Sequence, residues 1–265
     1  MLNQKKFLHL KQISSLFSKV GGILREKNNK LYTALIQTRS SSKRLKNKVL
    51  YKILNQEVFK IVYKRTIKSK YIKKAIILTT NLKADEKIVK ICKRSKIPYF
   101  RGNNLNVLKR YYEAAKKYNL KSIVRITSDC PLIDPKVIDR ICKKYSEKNY
   151  HYVSNVIKPT YPDGYDVEIF NFNTLEKVFR KAKTKFEKEH VTTRMIKDKN
   201  LKKFNIKLNK NYSKFRLTLD NLSDFKKIKK IFENEKSIYK PNLILTLKEV
   251  FKKKNYYTKK RPNYF

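Results

Sequence analysis

The chain reads as an α/β protein with a mostly parallel sheet flanked by helices and a small inserted β arm that could dimerise. Three observations predict it. Short β-branched runs alternate with amphipathic stretches of about ten to fifteen residues between 32 and 148, the pattern of βαβ crossovers. The apolar run from Val124 to Thr127 breaks off abruptly into Ser128, Asp129, Cys130 and Pro131. The basic segment from Arg39 to Lys48 directly follows the first such run. Right-handed crossovers bring the ends of parallel strands to one edge, where ligands of α/β proteins bind.

Residues 1–31 form a basic N-terminal extension. Phe7, Leu8, Leu10, Ile13, Leu16, Phe17 and Val20 recur there at helical spacing before Gly21-Gly22. That predicts an appended amphipathic helix, with a transit or membrane-surface peptide as the alternative. Residues 32–265 read as one domain without a Gly/Ser linker. Tyr32 to Gln37 predicts the first strand, and the polar run 38–44 a loop leading into a helix from Leu45 to about Arg65. Ile76 to Thr80 predicts a strand, Asp85 to Ser95 a helix, Ile97 to Phe100 a strand and Asn104 to Asn119 a helix. Ser122 to Thr127 is the fourth strand, and Pro135 opens a helix to Lys148 at the position where proline is best tolerated. Beyond 150, strands are predicted at 151–154 and 166–170 around a turn at 160–164, with helices near 173–183 and 187–197. Phe215 to Asp220 predicts a further strand, and 222–235 and 246–254 closing helices.

The chain carries 67 Lys+Arg against 21 Asp+Glu, a net charge of +46. Such a charge normally signals a polyanion partner. Here the basic residues are spread over the whole length, and Gly (4), Pro (7) and Trp (0) are scarce beside abundant Lys, Asn and Ile. That pattern reads as codon drift toward A and T, so no specific nucleic acid partner is expected. No run reaches the roughly 18 apolar residues of a membrane span, so no transmembrane segment is expected. Cys92, Cys130 and Cys142 are odd in number and lack a CxxC pair, which fits a reducing, cytoplasmic location.

Two aspartates, Asp129 and Asp220, each end a predicted strand. Taken singly, either can cap the helix that follows. As a pair beside a basic loop they suit Mg²⁺, which is held by one or two carboxylates together with phosphate oxygens. The loop supplies the counter-charge, since guanidinium forks, lysine and serine hydroxyls make a phosphate cradle. It lacks the glycines of a P-loop or a dinucleotide fingerprint.

Several motifs in one order resemble the cytidylyltransferase family, which includes spore-coat polysaccharide cytidylyltransferase-like proteins and the enzymes activating 3-deoxy-manno-octulosonate and acylneuraminate. The family opening is similar to Ala34 to Leu50, with Lys46-Asn47 in place of Pro-Gly. Arg125 to Asp134 follows its R-I-T-G-D-C-P-L-I-D, with Ser128 for Gly. Phe100-Arg101-Gly102, Val107 to Tyr111, Tyr161 to Glu168, Glu189 to Thr192 and Arg216 to Asp220 complete the series, which runs from about 33 to 235.

The resemblance implies a Rossmann-like nucleotidyltransferase fold over residues 32–265 and transfer of CMP from CTP to a sugar or sugar acid, for cell-surface polysaccharide synthesis. It implies catalytic roles for Arg39, Lys48 and Asp129, and nucleotide contacts from Gln37, Arg39, Ser42, Arg44, Lys48, Arg101, Gly102 and Arg110. Asp129 and Asp220 would hold Mg²⁺ or Mn²⁺, and Asp163, Asp166, Glu168 and His190 the acceptor sugar. For Asp163-Gly164 and Glu168, a plain hairpin turn and an exposed strand face stay open as the structural alternative. Two other functions stay open. A metal-dependent nucleotide-sugar glycosyltransferase would release nucleoside diphosphate instead of pyrophosphate. A degenerate, non-enzymatic polyanion-binding protein would account for the charge but not for the ordered motifs.

Overall fold

A computed structural model describes residues 31–42 and 44–251. The N-terminal extension, with its predicted helix, and the end of the last predicted helix lie outside the described residues. The strands are β1 (Tyr32–Gln37), β2 (Lys52–Ile53), β3 (Gln56–Glu57), β4 (Ile72–Thr80), β5 (Tyr99–Gly102), β6 (Ser122–Thr127), β7 (Tyr152–Ser154), β8 (Glu168–Asn171) and β9 (Lys203–Asn205). The helices are α1 (Val58–Ile67), α2 (Glu86–Arg94), α3 (Val107–Lys117), α4 (Pro135–Glu147), α5 (Phe172–Lys181), α6 (Lys185–Glu189), α7 (Thr193–Lys197), α8 (Leu222–Glu235) and α9 (Leu243–Phe251).

Seven strands form one sheet in the order β5-β4-β1-β6-β8-β7-β9. β5, β4, β1 and β6 are mutually parallel; β8 runs against both of its neighbours, and β9 is parallel to β7. The fold class is therefore α/β with a mostly parallel sheet, and a separate antiparallel hairpin, β2–β3, stands outside it. β1 is central, and its alternating side chains feed two different cores, as a strand period of two requires. Ala34 and Ile36 join Val58, Phe59, Val62, Ile138 and Ile141 from α1 and α4. Leu35 joins Leu108, Tyr111 and Ala114 of α3 and Leu175 of α5 on the other face. All of these are fully buried, and each large aliphatic among them stabilises the fold by about 1.5–3 kcal/mol.

The sheet strands up to β6, and α4 and α8, stand close to where the sequence predicts them. Three segments differ. The helix expected from Leu45 is a 3-10 turn (Lys48–Leu50), then the β2–β3 hairpin, and only then α1. Asn47, Leu54 and Asn55 all have positive φ, so the chain turns back twice in left-handed conformations without a glycine to announce it. The single helix expected over 187–197 is split into α6 and α7, with Val191 at φ 22° between them. Phe215 to Asp220 is no strand; it is tied to the rest by one isolated parallel bridge between Asp163 and Arg216. β9 was not predicted, because Lys-Phe-Asn shows no alternating pattern to find.

Candidate active site

β1 and β6 lie side by side, with Gln37 opposite Thr127. The Ser128 N–H donates to the Gln37 carbonyl at 3.0 Å, carrying the ladder one step beyond β6. Ser128 is buried and has no positive φ, so the serine takes the position without needing a glycine's backbone freedom. Asp129 then stands on the turn that leads to Asp134, whose side chain caps α4 by accepting from Lys136 N at 2.8 Å. Capping thus belongs to Asp134 and leaves Asp129 to the cleft.

Asp220 reaches the same place by another route. Leu219 N donates to the Asp129 carbonyl at 2.8 Å, which sets the two aspartates in adjacent loops. The cap of α8 is Asn221, in a capping box with Asp224, so Asp220 is not the cap either. The 215–220 segment is seated by Asp163, which donates its N–H to the Phe215 carbonyl and accepts from Leu217 N. Gly164, at φ 112°, permits that approach: a Cβ there would lie 2.6 Å from the Leu217 oxygen.

Between the aspartates sits Lys48. Its Nζ is 2.8 Å from Asp129 Oδ2 and 2.9 Å from Asp220 Oδ1. Arg44 and Arg216 reach the other oxygen of Asp220 at 2.9 and 3.0 Å. Burial works to depress the Lys48 pKa, but the two carboxylates outweigh it and hold the ammonium charged above its ordinary range. Burial likewise pushes Asp129 up, and Lys48 pulls it below the usual carboxylate value. Among the described residues no three His, Cys, Asp or Glu side chains gather into a metal cage. Two carboxylates converging on one cation position still fit a divalent ion whose remaining ligands are phosphate oxygens and water.

These groups line a cleft of about 1260 Å³ at the C-terminal ends of β1 and β6. Gln37, Arg39, Ser42, Arg44, Lys48, Asp129, Asp163, Asp166, Glu168, His190 and Asp220 all border it. Arg101, Gly102 and Arg110 do not. Arg101 turns to Glu86 and to the carbonyls of Thr80 and Leu82. Arg110 is fully buried, and Gly102 packs against it so closely that a Cβ would come within 3.1 Å of Arg110 Cγ.

Glu168 borders the cleft from its floor and is far from an exposed strand face, being 2% exposed. Its Oε1 accepts from Tyr152 at 2.6 Å and its Oε2 from Arg125, the residue directly opposite on β6. Burial would lower the Arg125 pKa, yet the Glu168 charge raises it. Asp163 and Asp166 also border the cleft. His190 packs against Phe186 with ring centres 4.4 Å apart and the rings tilted, and burial lowers its pKa. Cys130 is buried and its thiol is raised well above the ordinary value, first by burial and then by Asp129, so it is no nucleophile.

Sequence reasoning missed Arg125, Glu189, Asn104 and Leu105, all of which line the cleft. An arginine inside an otherwise apolar strand was the available signal for Arg125. Glu189 reaches across to Arg39 at 3.3 Å. Leu105 is 83% exposed, and Asn104 holds a buried Oδ1 with no hydrogen-bond partner among the described residues.

A family description, Cytidylyltransferase, matches residues 33–261. The chain is 40% identical over 197 residues to the uncharacterized protein MJ1063 of Methanocaldococcus jannaschii, covering 72% of this chain and 79% of that protein. It is 26% identical over 211 residues to the spore coat polysaccharide biosynthesis protein SpsF of Bacillus subtilis, covering 75% and 85%. The solved structure of a cytidylyltransferase from Leptospira borgpetersenii superposes with a TM-score of 0.80 at 28% identity, over 88% of this chain and 98% of that one.

Proposed function

The chain belongs to the cytidylyltransferase family, and from that premise we propose that it transfers CMP from CTP to a hydroxyl of a sugar or sugar acid, releasing pyrophosphate for polysaccharide biosynthesis. The observation that carries the reading is Lys48, bridging Asp129 and Asp220 at the foot of the basic loop. A cation between two carboxylates, with two arginines beside it, is the charge arrangement that phosphoryl chemistry needs. Such chemistry rests on positioning and charge neutralisation more than on any protein nucleophile.

In this reading Arg39, Ser42, Arg44 and Lys48 grip the triphosphate, with Gln37 at the C-terminal end of β1 where their loop begins. Arg39 and Arg44 exchange Glu189 and Asp220 for phosphate oxygens. Asp129 and Asp220 would hold Mg²⁺ or Mn²⁺, and the bound ion supplies charge neutralisation at the reacting phosphate. Asp163, Asp166 and His190, which border the same cleft, accept hydrogen bonds from the acceptor's hydroxyls. Its attacking oxygen displaces pyrophosphate in line. Leu105 offers an apolar face to a base, and the Asn104 Oδ1 suits an exocyclic amine, which cytosine has and uracil lacks. The SpsF likeness supports the polysaccharide context. No helix among the described residues is long and apolar enough to cross a membrane, and a cytoplasmic location fits a CTP-dependent enzyme with three free cysteines.

The test is a thermal-shift panel of nucleoside triphosphates with Mg²⁺, followed by product analysis with sugar and sugar-acid acceptors. Selective stabilisation by CTP is expected, because a ligand that binds only the native state raises its stability. Acceptor-dependent pyrophosphate release is expected with it. Release of nucleoside diphosphate from a nucleotide sugar, or indifference to every triphosphate, overturns the reading.

A further inference from the structure

The Phe100–Gly102 and Val107–Tyr111 motifs do not line the cleft, yet they converge on a carboxylate that does bear on it. Asp85 lies at the end of the 3-10 turn Lys83–Asp85, only 1% exposed. It immediately precedes α2, but its side chain makes no capping bond to that helix. Both oxygens point elsewhere. Oδ1 accepts from the Ser40 N–H at 2.8 Å and the Ser40 hydroxyl at 2.5 Å. Oδ2 accepts from Thr79 Oγ1, Thr80 N and Thr80 Oγ1 at 3.0, 3.1 and 2.5 Å. Ser40 in turn gathers the basic loop, because its carbonyl accepts from both Ser42 N and Asn47 N at 2.9 Å. Asn47 is the left-handed residue directly before Lys48.

We infer that Asp85 is a positioning residue for the basic loop: it fixes Ser40 against the end of β4, and through the Ser40 carbonyl it fixes both limbs of the loop carrying Arg39, Arg44 and Lys48. Arg101 clamps the segment that bears Asp85, donating to the Thr80 and Leu82 carbonyls and pairing with Glu86. Arg110 adds a buried positive charge close enough to feel Asp85, and none of its three guanidinium nitrogens has a hydrogen-bond partner among the described residues. Burial tends to raise the Asp85 pKa, but its bonds from Ser40 and Thr80 more than reverse this and keep it ionised. A charged acceptor makes stronger hydrogen bonds, and they anchor a loop that has Lys46-Asn47 in place of a rigid Pro-Gly turn. The role in catalysis rests on the proposed triphosphate function of the loop; the anchoring itself does not.

Two measurements on the full-length protein separate these. In ligand-free Asp85→Asn, amide exchange at Ser42 and Asn47 should speed up by ~10-fold while β1 and β6 stay protected, because only the anchor is lost. CTP affinity measured by calorimetry with Mg²⁺ should fall by ~10-fold. Ser40→Ala, which keeps the backbone bonds and loses the hydroxyl, should move both readouts less, and Ser40→Thr should restore them. The double variant should lose less than the sum of the singles, since both act on one contact. If Asp85→Asn does not fold, the Ser40 pair decides the matter. Unchanged exchange at Ser42 and Asn47, or a uniform rise across the sheet, overturns the inference. Wild-type protein indifferent to CTP would sink the proposed function and leave the exchange result to decide the anchor.

Discussion

On the wall of the cleft Lys48 joins Asp129 and Asp220, while on its floor Glu168 joins Arg125 and Tyr152. Both clusters pair opposite charges, and they are built differently. The wall draws on three separate loops: the side chains of Arg44 and Asp129 are 59% and 27% exposed, and those of Lys48 and Asp220 between them only 11% and 13%. The floor draws on neighbouring strands in register, Arg125 directly opposite Glu168, and Glu168 is 2% exposed. Loop-borne partners, which no strand register holds in place, can be exchanged for a ligand that brings charges of its own. Sheet-borne, desolvated partners cannot, because a buried charge that loses its partner has no water to turn to. The wall is therefore suited to chemistry and the floor to holding the cleft's shape.

Breaking each cluster should give opposite signatures. Asp129→Asn should lower CMP transfer by ~10³-fold, the scale of lost electrostatic stabilisation at a reacting centre, with the thermal midpoint nearly unchanged. A fully active variant would remove the wall from the mechanism. Glu168→Ala should cost about 3–5 kcal/mol of unfolding free energy in urea titration, since it strands Arg125. A loss under about 1 kcal/mol would mean that the floor is as exchangeable as the wall. The smallest effect is expected at the rim. Glu189→Gln breaks the half-exposed pair with Arg39, so stability should change by less than about 1 kcal/mol. CTP should bind slightly more tightly, because Arg39 no longer leaves a partner; weaker binding would assign Glu189 a ligand contact of its own.

The reading of individual residues divides along the same line. Asp129 was legible because an apolar strand ending in Asp and Pro is a local signal. Asp220 was read, like Asp129, as the end of a strand, although the segment that carries it is a loop pinned by Asp163 and Gly164. The β2–β3 hairpin was illegible because Leu54 and Asn55 take left-handed turns with no glycine. Glu168 borders the cleft, but its pairing with Arg125 depends on strand register, which no local pattern reports. Arg101 looks like a phosphate ligand by residue type, and its contacts direct it to the Thr80–Glu86 segment instead, while Arg110 is fully buried away from the cleft.

By itself, then, the sequence determined the alternation of strands and helices, the parallel class of the sheet, and the polar segments that reach its C-terminal edge. These follow from side-chain periodicity and turn chemistry, which act over a few residues. Only the tertiary structure decided that Lys48 meets two aspartates 81 and 172 residues away, that Glu168 is locked to Arg125, and that Asp85 anchors Ser40. A charged side chain has many partners of suitable type along the chain. Which one it finds is set by the register of strands and the packing of loops, and these exist only once the sheet has formed.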